Sequence, residues 1–151
     1  MNDKITIRRA TPRDTVNIAL LLREAGVDPA GLEEWVDSFI LAETPAESES
    51  ELEIIATAGL EKYGSKGLLR SLVLRKKACT AEDGFHLLQL ILAHTGQIGL
   101  SELYLLTESP TLFIHMEFTP VTTLEIPMEI LLSQHFRQNS AKAVPMRKIL
   151  K

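Results

Sequence analysis

The chain has 151 residues, 45% of them hydrophobic and 24% charged, with a net charge of −4 at pH 7. That length suits one domain, able to bury about 70% of the surface its unfolded form exposes. The mild acidic balance gives no global attraction to nucleic acid or to an anionic membrane. Basic residues are dispersed apart from 75–77 and Arg147-Lys148. Neither group has an aromatic platform, which argues against nucleic-acid binding. A lone cysteine, Cys79, excludes an internal disulfide, and no cysteine–histidine cluster has metal-ligand spacing, so no metal is expected. The N-terminus lacks the apolar core of a signal peptide and no apolar run is long enough to span a bilayer. A cytoplasmic protein with no membrane partner is the expectation.

Residues 4–8 (KITIR) alternate polar and apolar side chains, the pattern of a half-buried strand. Thr11-Pro12-Arg13-Asp14 reads as a helix start. Thr11 can accept from first-turn amides, Pro12 suits the first helical position and Asp14 favours the positive dipole end. Val16, Ile18, Ala19, Leu21 and Leu22 give that helix a core face, and Gly26 a left-handed stop. Asp28-Pro29 starts a shorter helix through Leu32, Trp35 and Val36, and residues 39–42 make the next strand. The segment 43–51 (ETPAESESE) is acidic and proline-containing, a solvated connection. Two strands follow at 53–60 and 68–74, with a hairpin signal in Tyr63-Gly-Ser-Lys-Gly67.

Residues 83–98 form an amphipathic helix with Phe85, Leu87, Leu88, Ile91, Leu92 and Thr95 inward, stopped at Gly99. The nearly continuous apolar run 102–107 fits an interior strand. Ser109-Pro110 opens a short helix through Leu112, Phe113 and Met116, with Ser109 as cap. Strands at 118–126 and 143–149 finish the sheet, separated by a helical insertion at 128–136. The order β-α-α-β-β-β-α-β-α-β-α-β predicts one α/β (α+β) domain over residues 1–151.

The strand, polar loop, helix and strand from Ser71 to Thr107 resemble the acyl-CoA-binding core of the GNAT superfamily of N-acetyltransferases. Across the chain, ITIRRATPRD, LLREAG, AGLEKYG, LLRSLVL, ELYLLTESP and AVPMRKIL are most similar to the small bacterial arsenic-resistance N-acetyltransferase branch. The resemblance implies a central mixed, twisted sheet of about seven strands flanked by helices and splayed between the fourth and fifth. It also implies acetyl transfer from acetyl-CoA to the amine of a small, amino-acid-like molecule. The open gap between the parallel strands offers a surface for a homodimer.

In that family the loop carries [Arg/Gln]-x-x-Gly-x-[Gly/Ala], whose amides hold the cofactor pyrophosphate at a helix N-terminus. The equivalent here is Cys79, Thr80, Ala81, Glu82, Asp83 and Gly84, of which only Gly84 fits. Thr80 and Asp83 resemble a capping box, which would occupy the amides a pyrophosphate needs. A carboxylate about 4 Å from a phosphate charge costs roughly 4 kcal/mol at an effective dielectric near 20. Cys79 reads as a small, partly buried residue or as a thiol activated near a helix N-terminus. By the same resemblance, Val73, Leu74 and Arg75 would pair with the pantetheine amides as an added strand would. Thr80, Gly84 and Phe85 are the remaining cofactor-binding candidates, and an amide near Val73 would polarise the acyl carbonyl.

On the acceptor side Glu61, Tyr63, Arg70 and Ser71 match the family pocket that faces the acyl group. Arg70 fits a two-pronged hold on an acceptor carboxylate, and Glu61 a base that receives the amine proton directly or through water. The same two residues equally fit a structural ion pair across neighbouring strands. Alternation puts Arg70 and Ser71 on opposite faces unless a bulge intervenes. The usual acid, the tyrosine of Tyr-x-x-x-Gly-Phe, is Phe113 here, with Glu117 at the glycine and Phe118 kept. No clear acid is left, and His115 is one candidate proton carrier near that helix. Two functions stay open. One is an acetyl-CoA-dependent N-acetyltransferase; the other is a catalytically impaired domain of the same fold, retained for ligand binding or protein interaction.

Overall fold

Seven strands hydrogen-bond into one mixed sheet. They are β1 (Thr6–Arg9), β2 (Ile40–Pro45), β3 (Leu52–Tyr63), β4 (Lys66–Leu74), β5 (Glu102–Thr107), β6 (Thr119–Pro120) and β7 (Val144–Ile149). Their order across the sheet is β1-β2-β3-β4-β5-β7-β6. The helices are α1 (Thr15–Glu24), α2 (Leu32–Trp35), α3 (Ala81–Gln97), α4 (Pro110–Ile114), α5 (Met128–Leu131) and α6 (Gln134–Asn139). This is a computed structural model, and it describes residues 5–45, 52–75 and 81–150. Strands β1, β2 and β3 pair antiparallel in turn. Strand β4 runs parallel to β5 from Lys66↔Glu102 to Leu69↔Leu105. A parallel neighbour requires a crossover, and α3 supplies it. Strand β7 pairs antiparallel with β5 on one side and β6 on the other. No helix among the described residues is long and apolar enough to cross a membrane.

The chain groups into two compact units, Met1–Leu60 with Ser71–His94, and Glu61–Arg70 with Thr95–Lys151. In the first, Ile18, Leu21 and Leu22 of α1 are buried with Leu32, Phe39, Leu41, Ile54 and Val73. Gly59 makes room for this core: a Cβ there would come within 2.5 Å of the Phe39 ring. The helix start at Thr11 takes the form of a 3-10 turn, Pro12–Asp14, ahead of α1. Asp14 does more than favour the dipole. Its Oδ2 accepts from the Thr11 amide at 2.8 Å, and its Oδ1 accepts from Arg8 Nη2 at 2.8 Å. Arg8 Nε also donates to Glu43 Oε1 at 2.8 Å, tying β1 to β2. Helix α2 begins later than the Asp28-Pro29 signal suggests, at Leu32 after a left-handed Gly31. Asp28 instead folds back locally, accepting from the Ala30 amide at 3.0 Å.

In the second unit Leu68, Tyr104, Val121, Ile126, Ile130 and Phe136 form the apolar cluster, with Tyr63, Leu106 and Leu131 packed against it. Gly64, at φ 66°, sits in the turn between β3 and β4. The strand expected at 118–126 shortens to Thr119–Pro120, followed by a 3-10 turn at Thr123–Glu125. Proline lacks the N–H that a longer ladder would need, and β6 is accordingly an edge strand. The insertion expected as one helix is two, divided at Ser133. Ser109 does not cap α4 with its side chain. Its amide donates to Thr107 Oγ1 at 2.9 Å instead.

Candidate active site

Glu61 and Tyr63 stand two residues apart on β3 and therefore share a face of the strand. Arg70 lies across the hairpin on β4. Tyr63 Oη donates to Glu61 Oε1 at 2.6 Å, and Arg70 Nη1 donates to Glu61 Oε2 at 2.7 Å. Glu61 is 2% exposed and Arg70 9%, so both charges are out of water. Of the two arrangements open from sequence, ion pair or acceptor clamp, the ion pair is present. Each oxygen of the carboxylate accepts one of these hydrogen bonds, which leaves it further lone pairs for a proton.

One further titratable group is shifted by the charges of this cluster, and no sequence signal connected it. His135, on α6, is half-buried. Burial first, and then the Arg70 charge, push its imidazole down to about 4, while Glu61 opposes them. It is therefore uncharged at neutral pH. The Ser133 cap signals a helix start, but nothing in the spacing links position 135 to positions 61 and 70.

Ser71 follows Arg70 in the chain with φ 54°, a left-handed residue inside a strand, and it is buried. Such a residue interrupts alternation in the manner of a bulge. The run from Gly67 to Ser71 is buried without a break, as alternation alone would not give.

The cofactor candidates lie in the first unit. Val73 is buried. The Arg75 amide donates to Ile55 O at 2.7 Å, so alternation turns the Leu74 amide to the other edge of the strand. The Arg75 guanidinium is held by Glu53 at 2.7 Å and Glu24 at 3.0 Å. Gly84 falls in the first turn of α3, with Phe85 half-buried and Glu82 exposed. Cys79, Thr80 and the basic residues 76–77 lie outside the described residues, so the readings made of them do too.

At the family's acid position Phe113 is buried and packs edge-on against Phe118, with ring centres 5.6 Å apart at 80°. Glu117, where the resemblance has glycine, adopts φ 69°. That left-handed backbone is the conformation for which glycine is suited. His115 is exposed at the end of α4. Tyr104 is a core residue whose hydroxyl donates to Glu102 Oε1 at 2.5 Å, and burial raises its phenol.

The fold aligns with solved acetyltransferases. N-acetylglutamate synthase from Neisseria gonorrhoeae, complexed with coenzyme A and N-acetyl-glutamate, superposes with a TM-score of 0.77 at 22% identity. Rv2747 from Mycobacterium tuberculosis, in complex with CoA, gives 0.74 at 18%. An acetyltransferase of the GNAT family from Staphylococcus aureus Mu50 gives 0.70 at 15%. The chain has the GNAT fold. The alignment takes in all of this chain but only 36% of the synthase, whereas it takes in 97% of this chain and 99% of Rv2747. The Staphylococcus aureus match likewise takes in 97% of this chain and 99% of that one. No family model and no curated protein sequence matches the chain. At these identities the likeness establishes a GNAT-fold architecture, and function has to be argued from the site.

Proposed function

We propose that this GNAT-fold protein transfers an acetyl group from acetyl-CoA to the amine of a small acceptor. One observation carries the reading: Glu61, Tyr63 and Arg70 form a buried, hydrogen-bonded charged cluster on the β3–β4 hairpin. Apolar residues of similar volume are often as stable as a buried ion pair, so stability alone is a poor reason to have one. Charged groups gathered out of water are instead candidates for chemistry.

Structures of N-acetylglutamate synthase and Rv2747 with CoA support acetyl-CoA as the donor. Here Val73, Leu74 and Arg75 suit the pantetheine arm, because the Leu74 amide faces away from β3. Bound acetyl-CoA would supply an acyl thioester. The acceptor nitrogen bonds to the acyl carbon as the C–S bond breaks; the nitrogen gives up one proton and the sulfur takes one up. Glu61 receives the amine proton, directly or through water, and Tyr63 holds the carboxylate in place. Arg70, sharing its guanidinium with Glu61, draws in a carboxylate on the acceptor. Amino-acid-like amines, the class implied by the arsenic-resistance resemblance, are the acceptors to try first.

A second reading has its own support. Glu82 is exposed on the first turn of α3, and the Arg75 guanidinium is engaged by two carboxylates. Both weaken an anion site there, as an impaired domain kept for binding would allow. Thiol release from acetyl-CoA in the presence of a panel of small amines separates the two. Turnover that Glu61→Gln abolishes supports transfer; no turnover with any amine supports the impaired domain.

A further inference from the structure

We propose that the outer face of the insertion between β6 and β7 is a homodimer surface, on which a second copy of this chain packs about a two-fold axis. The proposal goes beyond the acetyl-transfer reading and does not depend on it. It also uses a different surface from the strand gap where a homodimer was expected. From Leu124 to Phe136 the chain divides its apolar side chains between two sides. Ile126, Ile130 and Phe136 turn inward, into the cluster with Leu68 and Tyr104. Leu124, Met128 and Leu132 are left outside, 96%, 63% and 61% exposed. One exposed leucine is ordinary, but three such side chains within nine residues are more than scatter.

This row is fixed in place. The Leu132 amide donates to Met128 O at 2.9 Å, which sets those two residues one helical turn apart. Ser133 Oγ donates to Ile130 O at 2.7 Å and accepts from the Phe136 amide at 3.2 Å, fixing the joint of α5 and α6. At the other end Glu125 accepts from the Thr122 amide at 3.0 Å and pairs with Arg147 at 3.4 Å, holding the turn that carries Leu124. Little freedom is left to lose on association. Charge says what covers the row. Glu129 of α5 and Arg137 of α6 are both exposed, and neither has a side-chain partner among the described residues. Leu132 lies between them in the chain, so a two-fold axis beside it brings Glu129 of each copy to Arg137 of the other. An isologous interface makes that pair twice, around an apolar centre. A partner of one charge sign would satisfy one of these residues and oppose the other; a second copy satisfies both.

Sedimentation velocity of the full chain from about 1 to 100 µM tests this, with a reversible dimer of micromolar dissociation constant expected. Met128→Gln with Leu132→Gln, both at exposed positions, should weaken the dimer at least about tenfold. Glu129→Arg alone and Arg137→Glu alone each set like charges together and should each weaken it about tenfold. An equimolar mixture of those two variants should restore the dimer, because each copy then meets the opposite charge at both places. Hydrogen exchange of the wild type, concentrated against dilute, should slow within residues 124–138. A wild type that stays monomeric throughout overturns the proposal. So does a dimer that the substitutions leave unchanged, a mixture no tighter than its single variants, or slowing confined to other segments. The exchange arm needs no variant, so it decides the matter even where a substitution harms folding.

Discussion

Arg8 and Arg70 both hold carboxylates at hydrogen-bond distance, yet their surroundings differ. Arg8, with its side chain 36% exposed, bridges Asp14 and Glu43 and fastens β1 to the start of α1 and to β2. Only the arginine there reaches water, its two carboxylates being buried, and the network acts as scaffold. Arg70 is 8% exposed at its side chain and Glu61 3%, so desolvation dominates there. A buried pair adds little net stability but tolerates the loss of one member badly. The same chemistry is thus a fastening in one unit and a poised, intolerant cluster in the other.

The largest effect should come from breaking the buried pair on one side only. Glu61→Ala removes the carboxylate paired with the Arg70 charge out of water and should cost about 3–5 kcal/mol in urea unfolding. Glu61→Leu with Arg70→Met should recover most of that loss while thiol release stays absent. A double variant that still turns over would place the chemistry elsewhere. Next in size, Gly59→Ala should cost about 1–3 kcal/mol, because the new methyl meets the Phe39 ring in a packed core. Loosening the Arg8 network is milder: Asp14→Asn keeps the shape but removes the charge, and should cost about 1–2 kcal/mol in urea unfolding.

Acid separates the same two clusters. The Asp14 carboxyl is held down at about 2 by its hydrogen bond from Arg8, against an ordinary 3.8. Its contribution is complete above the ordinary value and is lost as pH falls from there toward 2. His135 is depressed from 6.5 to about 4, so the unfolded chain takes up its proton first. Stability should therefore fall in that higher window too, and His135→Gln should remove that fall while keeping the one due to Asp14. Chemical unfolding across the acid range reads both. Smallest of all, Glu117→Gly should gain at most about 1 kcal/mol by relieving a left-handed backbone, measured as a rise in Tm.

Much of the fold was legible because periodicity and punctuation agree. The run 102–107 became β5 with the bounds read from its apolar pattern. Gly26, Gly64 and Gly99 all take positive φ where a stop or turn was expected. The failures are local. Pro120 shortened β6, and the Ser133 cap split the insertion into α5 and α6. Glu61, Tyr63 and Arg70 were legible as a group because they lie within one hairpin. The shift of His135 was not, since its burial on α6 is a tertiary fact with no sequence period. Simple alternation would set Arg70 and Ser71 on opposite faces, but Ser71 is left-handed, a backbone state no residue type at that position announced.

Calorimetric titration of the purified protein with acetyl-CoA reads donor binding itself. Saturable micromolar binding by the wild type is expected, tightened in Glu82→Gly as a carboxylate is removed from the start of α3. Absence of binding by both proteins would contradict it, because the strand that should take the pantetheine arm would then hold nothing.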